Sequence, residues 1–79
     1  LLLGMEPGQD SRDIELLNPD IHGITLRDLR LPADVIILSI IRGGQTIISH
    51  GYTRLRIKDT VTVVGSEKSL EEVQLKFDR

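Results

Sequence analysis

Four side chains near the middle of this 79-residue chain could meet an anion: Arg42, His50, Arg54 and Arg56. A guanidinium presents a planar fork of donors that suits two oxygens of a phosphate or carboxylate. The same arginines could equally be solvated or pair with acids such as Asp34 and Glu67. Nothing in the chain arms a nucleophile. There is no cysteine, and no serine sits in a G-x-S-x-G elbow. His22 and His50 lack the carboxylate spacing of a metalloprotease, and Gly43-Gly44 lacks the lysine and spacing of a phosphate loop. Cation sites need several converging oxygens, and the acids here are scattered. Asp59 therefore reads as a turn residue before a strand, and neither a metal ligand set nor a catalytic residue is expected.

Composition narrows the field further. Ten Lys and Arg against twelve Asp and Glu leave a net charge of −2, which is not the basic balance of a nucleic-acid binder. With one Phe, one Tyr and no Trp, any core must be built from Ile, Leu and Val. So small a core supplies about 3–5 kcal/mol, and oligomerisation is a common remedy. The longest apolar stretch falls short of the roughly 20 residues that span a bilayer. Leu1-Leu2-Leu3-Gly4-Met5 has no basic flank and is too short for a secretory signal. It reads as the end of an upstream helix, followed by a linker over 6–12 that contains Pro7 and Gly8. One small domain is expected over 13–79.

The elements that must position these residues follow from hydrophobic period and turn chemistry. Ile14 and Leu16 alternate with charged neighbours and predict an edge strand over 13–17, closed by Asn18-Pro19-Asp20. Thr25-x-x-Asp28 predicts a capping box for a short helix, stapled by Ile24 and Leu29 and ended by Pro32. The stretch 35–41, apolar but for Ser39, and the strand 45–49 form a hairpin around Gly43-Gly44. Residues 53–57 are partly extended, and 60–64 alternate as a strand with one wet face. Ser69-x-x-Glu72 predicts a second capping box, with Leu70, Val73 and Phe77 on the core stripe of a helix ending near Lys76. Leu75 lies off that stripe. The stretch 35–41 is apolar on both faces, which points to a homodimer through Val35, Ile37, Leu38 and Ile40.

The order of these pieces resembles the RCK_C domain, also called TrkA-C, of potassium channels and cation transporters. The likeness is carried by Gly23-Ile24-Thr25-Leu26-x-x-Leu29, the strand to Arg42 with Gly44, and then Leu55, Asp59, Val61, Val63, Val64, Gly65 and Leu70. The family usually shows G-x-x-L-x-x-L, V-x-x-I-x-R-x-G and L-x-x-G-D-x-L-x-V-x-G in that order. Lys58 stands where the family most often has Gly before the Asp, so that turn is expected to differ in detail. The resemblance implies an α+β fold, with a mostly antiparallel hairpin-containing sheet, one short helix and a C-terminal helix. It implies a regulatory role at the cytoplasmic face of a cation transporter or channel, attached to an RCK_N or membrane transport domain. It also implies a small anionic effector such as cyclic di-AMP where two domains meet, near Ile36, Ile37, Leu38, Arg42 and His50. Two other readings stay open: a constitutive dimerisation module without ligand, and a sensor domain of a DNA-binding regulator.

Overall fold

A computed structural model describes residues 9–78. Four strands form one antiparallel sheet: β1 (Gln9–Glu15), β2 (Ile36–Arg42), β3 (Gln45–Ile47) and β4 (Thr60–Ser66), in the order β1-β4-β2-β3. A helix, α1 (Glu67–Asp78), follows β4 without a break and packs across β1 and β4. This is a small α+β domain with a hairpin-containing sheet and a C-terminal helix, as the sequence predicts.

The core lies between α1 and one face of the sheet. Leu70, Val73 and Phe77 meet Ile14, Leu16, Val61 and Val63, all within 1% of fully buried. Burying each such side chain is worth about 1.5–3 kcal/mol. Ser66 caps α1, since its Oγ accepts the Ser69 N–H at 3.2 Å. The helix thus begins before the expected Ser69 box, because the serine that ends β4 already satisfies the first turn. Asp34 pins the same corner, accepting from Ser66 N at 3.0 Å and Ser69 Oγ at 2.6 Å. Those bonds hold its carboxyl at about 2. At the other end of α1, Leu17 N and Asn18 N both donate to the Phe77 carbonyl, and Asn18 Nδ2 donates to that of Lys76. The chain leaving β1 thereby satisfies carbonyls that a helix end leaves open.

Several boundaries move. β1 begins at Gln9, so residues 9–12, expected in the linker, pair instead with Val63–Ser66 of β4. The expected upstream helix end and the Pro7-Gly8 part of the linker lie outside the described residues. Thr25–Asp28 is a single hydrogen-bonded turn and not a helix. Thr25 Oγ1 does donate to Asp28 Oδ2, at 3.0 Å, but Pro32 leaves no room for further turns. The short helix is instead a 3-10 turn at Pro19–Ile21, opened by Asn18 Oδ1 accepting Asp20 N. The 53–57 stretch makes one bridge, Thr25 to Arg54, and β3 stops at Ile47.

The hairpin turn has φ +55° at Gly43 and +80° at Gly44, the pair of positive values that a two-residue turn requires. Lys58 also has a positive φ, +75°. The turn therefore keeps the backbone shape that glycine favours, while carrying a Cβ that costs about 1–2 kcal/mol there. Lys58→Gly should stabilise the domain by about 0.5–1 kcal/mol after the unfolded-chain entropy of glycine is subtracted. Thermal denaturation should show a melting point several degrees higher; an unchanged or lower one would mean that the turn is not strained.

Candidate functional site: an arginine–aspartate clasp and an open sheet face

β2 is where sequence expectation and structure meet most closely. Its pairing with β4 slips between Ile37 and Ser39, inserting Leu38 as an extra residue. Such a bulge breaks the two-residue alternation. Ile37 and Ile40 both point inward, opposite Val63 and Val61, although three positions separate them. Ile36, Leu38 and Ile41 are left on the outer face, exposed by 57%, 55% and 39%. Ile48, just past β3, is 86% exposed. The rest of that face is largely polar or β-branched, with Asp13 Oδ1 accepting from Thr62 Oγ1 at 2.7 Å.

This geometry corrects the expected dimer set. Ile40 is fully buried in the chain's own core, and Val35 and Ile37 are packed against that core. Of the four expected interface residues only Leu38 is outwardly free. Ile41 and Ile48 share its exposure, and the outward turn of Ile41 cannot be read without the bulge.

Arg42 ends β2 on the inner side and does not reach out to solvent anions. Its Nε and Nη2 each donate to the Asp59 carboxylate at 2.8 Å, and Nη2 also donates to the Arg54 carbonyl at 2.8 Å. The Asp59 side chain is 1% exposed. Burial pushes its carboxyl up, but the Arg42 hydrogen bonds, the Arg56 N–H at 2.8 Å and the two guanidinium charges outweigh burial and hold it below the usual carboxylate range. The same contact raises Arg42. Asp59 is therefore more than a turn residue: it joins the end of the hairpin to the 54–59 connection. Asp34, an acid that the sequence offers as a partner for these arginines, instead caps the corner at α1.

The five residues expected around a ligand do not form one site within the chain. Ile37 and His50 share an open groove of about 370 Å³, lined also by Leu26, Leu29 and Val35, with Arg27 at its rim. Ile36 and Leu38 lie on the opposite face of the sheet, and Arg42 is committed to Asp59. Arg27 itself donates to Tyr52 Oη at 2.9 Å, its guanidinium 5.1 Å from the ring centre. Arg54 and Arg56 are exposed, Arg54 with one nitrogen on the Gly23 carbonyl at 2.7 Å. Among the described residues no group of three or more His, Cys, Asp or Glu could hold a metal ion. None of the described helices is long and apolar enough to cross a membrane.

A four-stranded antiparallel sheet, with a C-terminal helix packed on β1 and β4 and the opposite face open, defines a small α+β domain. The described chain matches the TrkA-C domain over residues 14–78. It belongs to that family. It is 42% identical over 53 residues to "Putative Na(+)/H(+) antiporter YjbQ" of Bacillus subtilis, covering 67% of this chain and 9% of that protein. It is 31% identical over 62 residues to "Trk system potassium uptake protein TrkA homolog" of Archaeoglobus fulgidus, covering 78% of this chain and 14% of that protein. The chain thus spans only a small part of the length of these relatives. A solved structure described as "Structure of RCK domain with cda" superposes with a TM-score of 0.82 at 31% identity, over 85% of this chain and 96% of that one. Arg42 and Asp59, both among the residues that carry the resemblance, are brought together by the fold at 2.8 Å.

Proposed function

We propose that this domain is a regulatory module at the cytoplasmic side of a cation transporter or channel, acting on potassium or on sodium/proton exchange, and that it works as a homodimer. The observation that carries the reading is the exposed strip Ile36, Leu38, Ile41 on one strand, a cluster where Leu17 and Leu75, also exposed, lie outside that strand. Clustered exposed apolar residues of this kind mark association surfaces. A twofold dimer would set the strip against its copy. The relatives, which are transport proteins many times longer than this chain, support a tethered module next to an RCK_N or membrane transport domain. Sedimentation equilibrium at micromolar concentration should give about twice the mass of the chain. A clean monomer across that range rejects the dimer.

Regulation then takes the form of a population shift. An effector that binds one dimer arrangement more tightly moves the equilibrium by its differential affinity and by no more. The RCK-domain neighbour described "with cda", and the family likeness, support a small anionic effector such as cyclic di-AMP. Arg56, the remaining donors of Arg54 and the Ile37–His50 groove offer it a surface, Arg42 being occupied. At a hundred times its dissociation constant a ligand stabilises the folded state by about 2.7 kcal/mol. Cyclic di-AMP should accordingly raise the melting point by several degrees, less so in high salt, which screens exposed charges. No shift up to millimolar ligand favours the second reading, a constitutive dimerisation module, for which the same exposed strip is sufficient.

A further inference from the structure

Two imidazoles in this fold are used as hydrogen-bond acceptors for the backbone. His22 Nδ1 accepts the Ile57 N–H at 3.1 Å, across 35 positions of sequence, and His50 Nδ1 accepts the Tyr52 N–H at 3.2 Å. Both donors belong to the connection between β3 and β4. An imidazole nitrogen that accepts carries no proton, and in a neutral ring the proton then sits on Nε2. The imidazolium has no lone pair, and protonation would turn each contact into one N–H facing another.

Around His22 the stitching is specific. The segment 22–25 holds 54–57 through Gly23 N to Leu55 O at 2.7 Å, Leu55 N to Ile24 O at 3.0 Å and Arg54 Nη1 to Gly23 O at 2.7 Å. Carbonyls, amides and a guanidinium do not change charge near neutrality. Imidazole is the side chain that ordinarily does so between about pH 5 and 8. The charged groups on the segments around His22 are Asp20, Arg54, Arg56, Lys58 and the Arg42–Asp59 pair. Those around His50 are Asp28 and Arg27, the latter stacked over Tyr52, whose ring lies 6.5 Å from that of His50.

We propose that His22 makes the connection between β3 and β4 a proton-operated clasp. With the ring neutral it is closed. With the ring protonated the 54–57 stretch loosens from 22–25. The same stretch contacts the end of β2, since the Arg56 N–H and the Arg54 carbonyl bind the Asp59–Arg42 pair. The clasp therefore connects proton concentration to the hairpin, whatever effector or partner the sheet face takes.

Amide hydrogen exchange of the 79-residue chain at pH 5.5 and 7.5, corrected for intrinsic rates, tests this. The Ile57 amide should lose about fivefold in protection at pH 5.5, as expected for one hydrogen bond, while Val61 and Val63 in β4 keep theirs. In His22→Asn the side-chain oxygen can still accept, but nothing titrates, so the pH response of Ile57 should vanish. Equal Ile57 protection at both pH values in the wild type, or the same loss in His22→Asn, overturns the proposal. Should that variant not fold, the wild type still decides by NMR titration: the Ile57 amide and the His22 ring must move with one midpoint, and separate midpoints overturn the clasp.

Discussion

Arg42→Ala should cost about 3–5 kcal/mol, because it strands the Asp59 carboxylate, 1% exposed, without its guanidinium partner. For a domain of this size that is much of the whole margin of stability. Each kilocalorie moves the melting point by about 4–8 °C, so the cooperative transition should drop by some tens of degrees or disappear. Asp59→Asn in the Arg42→Ala chain should recover part of the loss, since the buried group is then neutral. A loss below about 1 kcal/mol in urea denaturation would show that the pair is no more than an exposed surface contact.

The pair also sets the acid limb of stability. Asp59 is held below its unfolded value of about 3.9, so near pH 4 the unfolded chain binds more protons than the folded one. Stability from this group is fully present above that unfolded value and is lost as pH falls through the lower folded one. In Arg42→Ala, burial acts with less opposition and the slope near pH 4 should flatten. Asp34 adds to the same limb in the wild type, its carboxyl held at about 2 by the corner hydrogen bonds, and keeps its contribution in the variant.

Much of this fold is legible in the sequence wherever periodicity meets a turn signal. Leu70, Val73 and Phe77 give the helix face, Val61 and Val63 the central strand, and Gly43-Gly44 the hairpin. The boundaries that slipped have local causes. Thr25-x-x-Asp28 makes its side-chain contact and then stops, because capping chemistry describes one turn and Pro32 prevents the next. Ser69 reads as the cap in the sequence, and the end of β4 gives that role to Ser66 instead. The site was less legible for a different reason. Arg42 and Asp59 are 17 positions apart, and an arginine at a strand end looks the same whether it meets solvent or a buried acid. Which way it turns is fixed by the inward side of β2, and that depends on a bulge at Leu38 that no residue type announces.

The bulge gives the second large expected effect, a contrast between two positions of one strand. Leu38 is 55% exposed and Ile40 is fully buried, yet a strict two-residue period would put them on the same face. Leu38→Asp places a charge on the open face, where a lone chain tolerates it within about 0.5 kcal/mol. Across a dimer contact the same charge is desolvated without a partner, at a cost of several kcal/mol. The variant should therefore sediment as a folded monomer, and its melting point should not rise with protein concentration as a dimeric wild type's would. Ile40→Asp puts the charge beside Val61 and Ile47 and should abolish the cooperative transition at any concentration. If Leu38→Asp stays dimeric, the interface lies off this face. If instead both variants unfold alike, Leu38 is buried within its own chain, and the bulge that turns Ile36, Leu38 and Ile41 outward is not there.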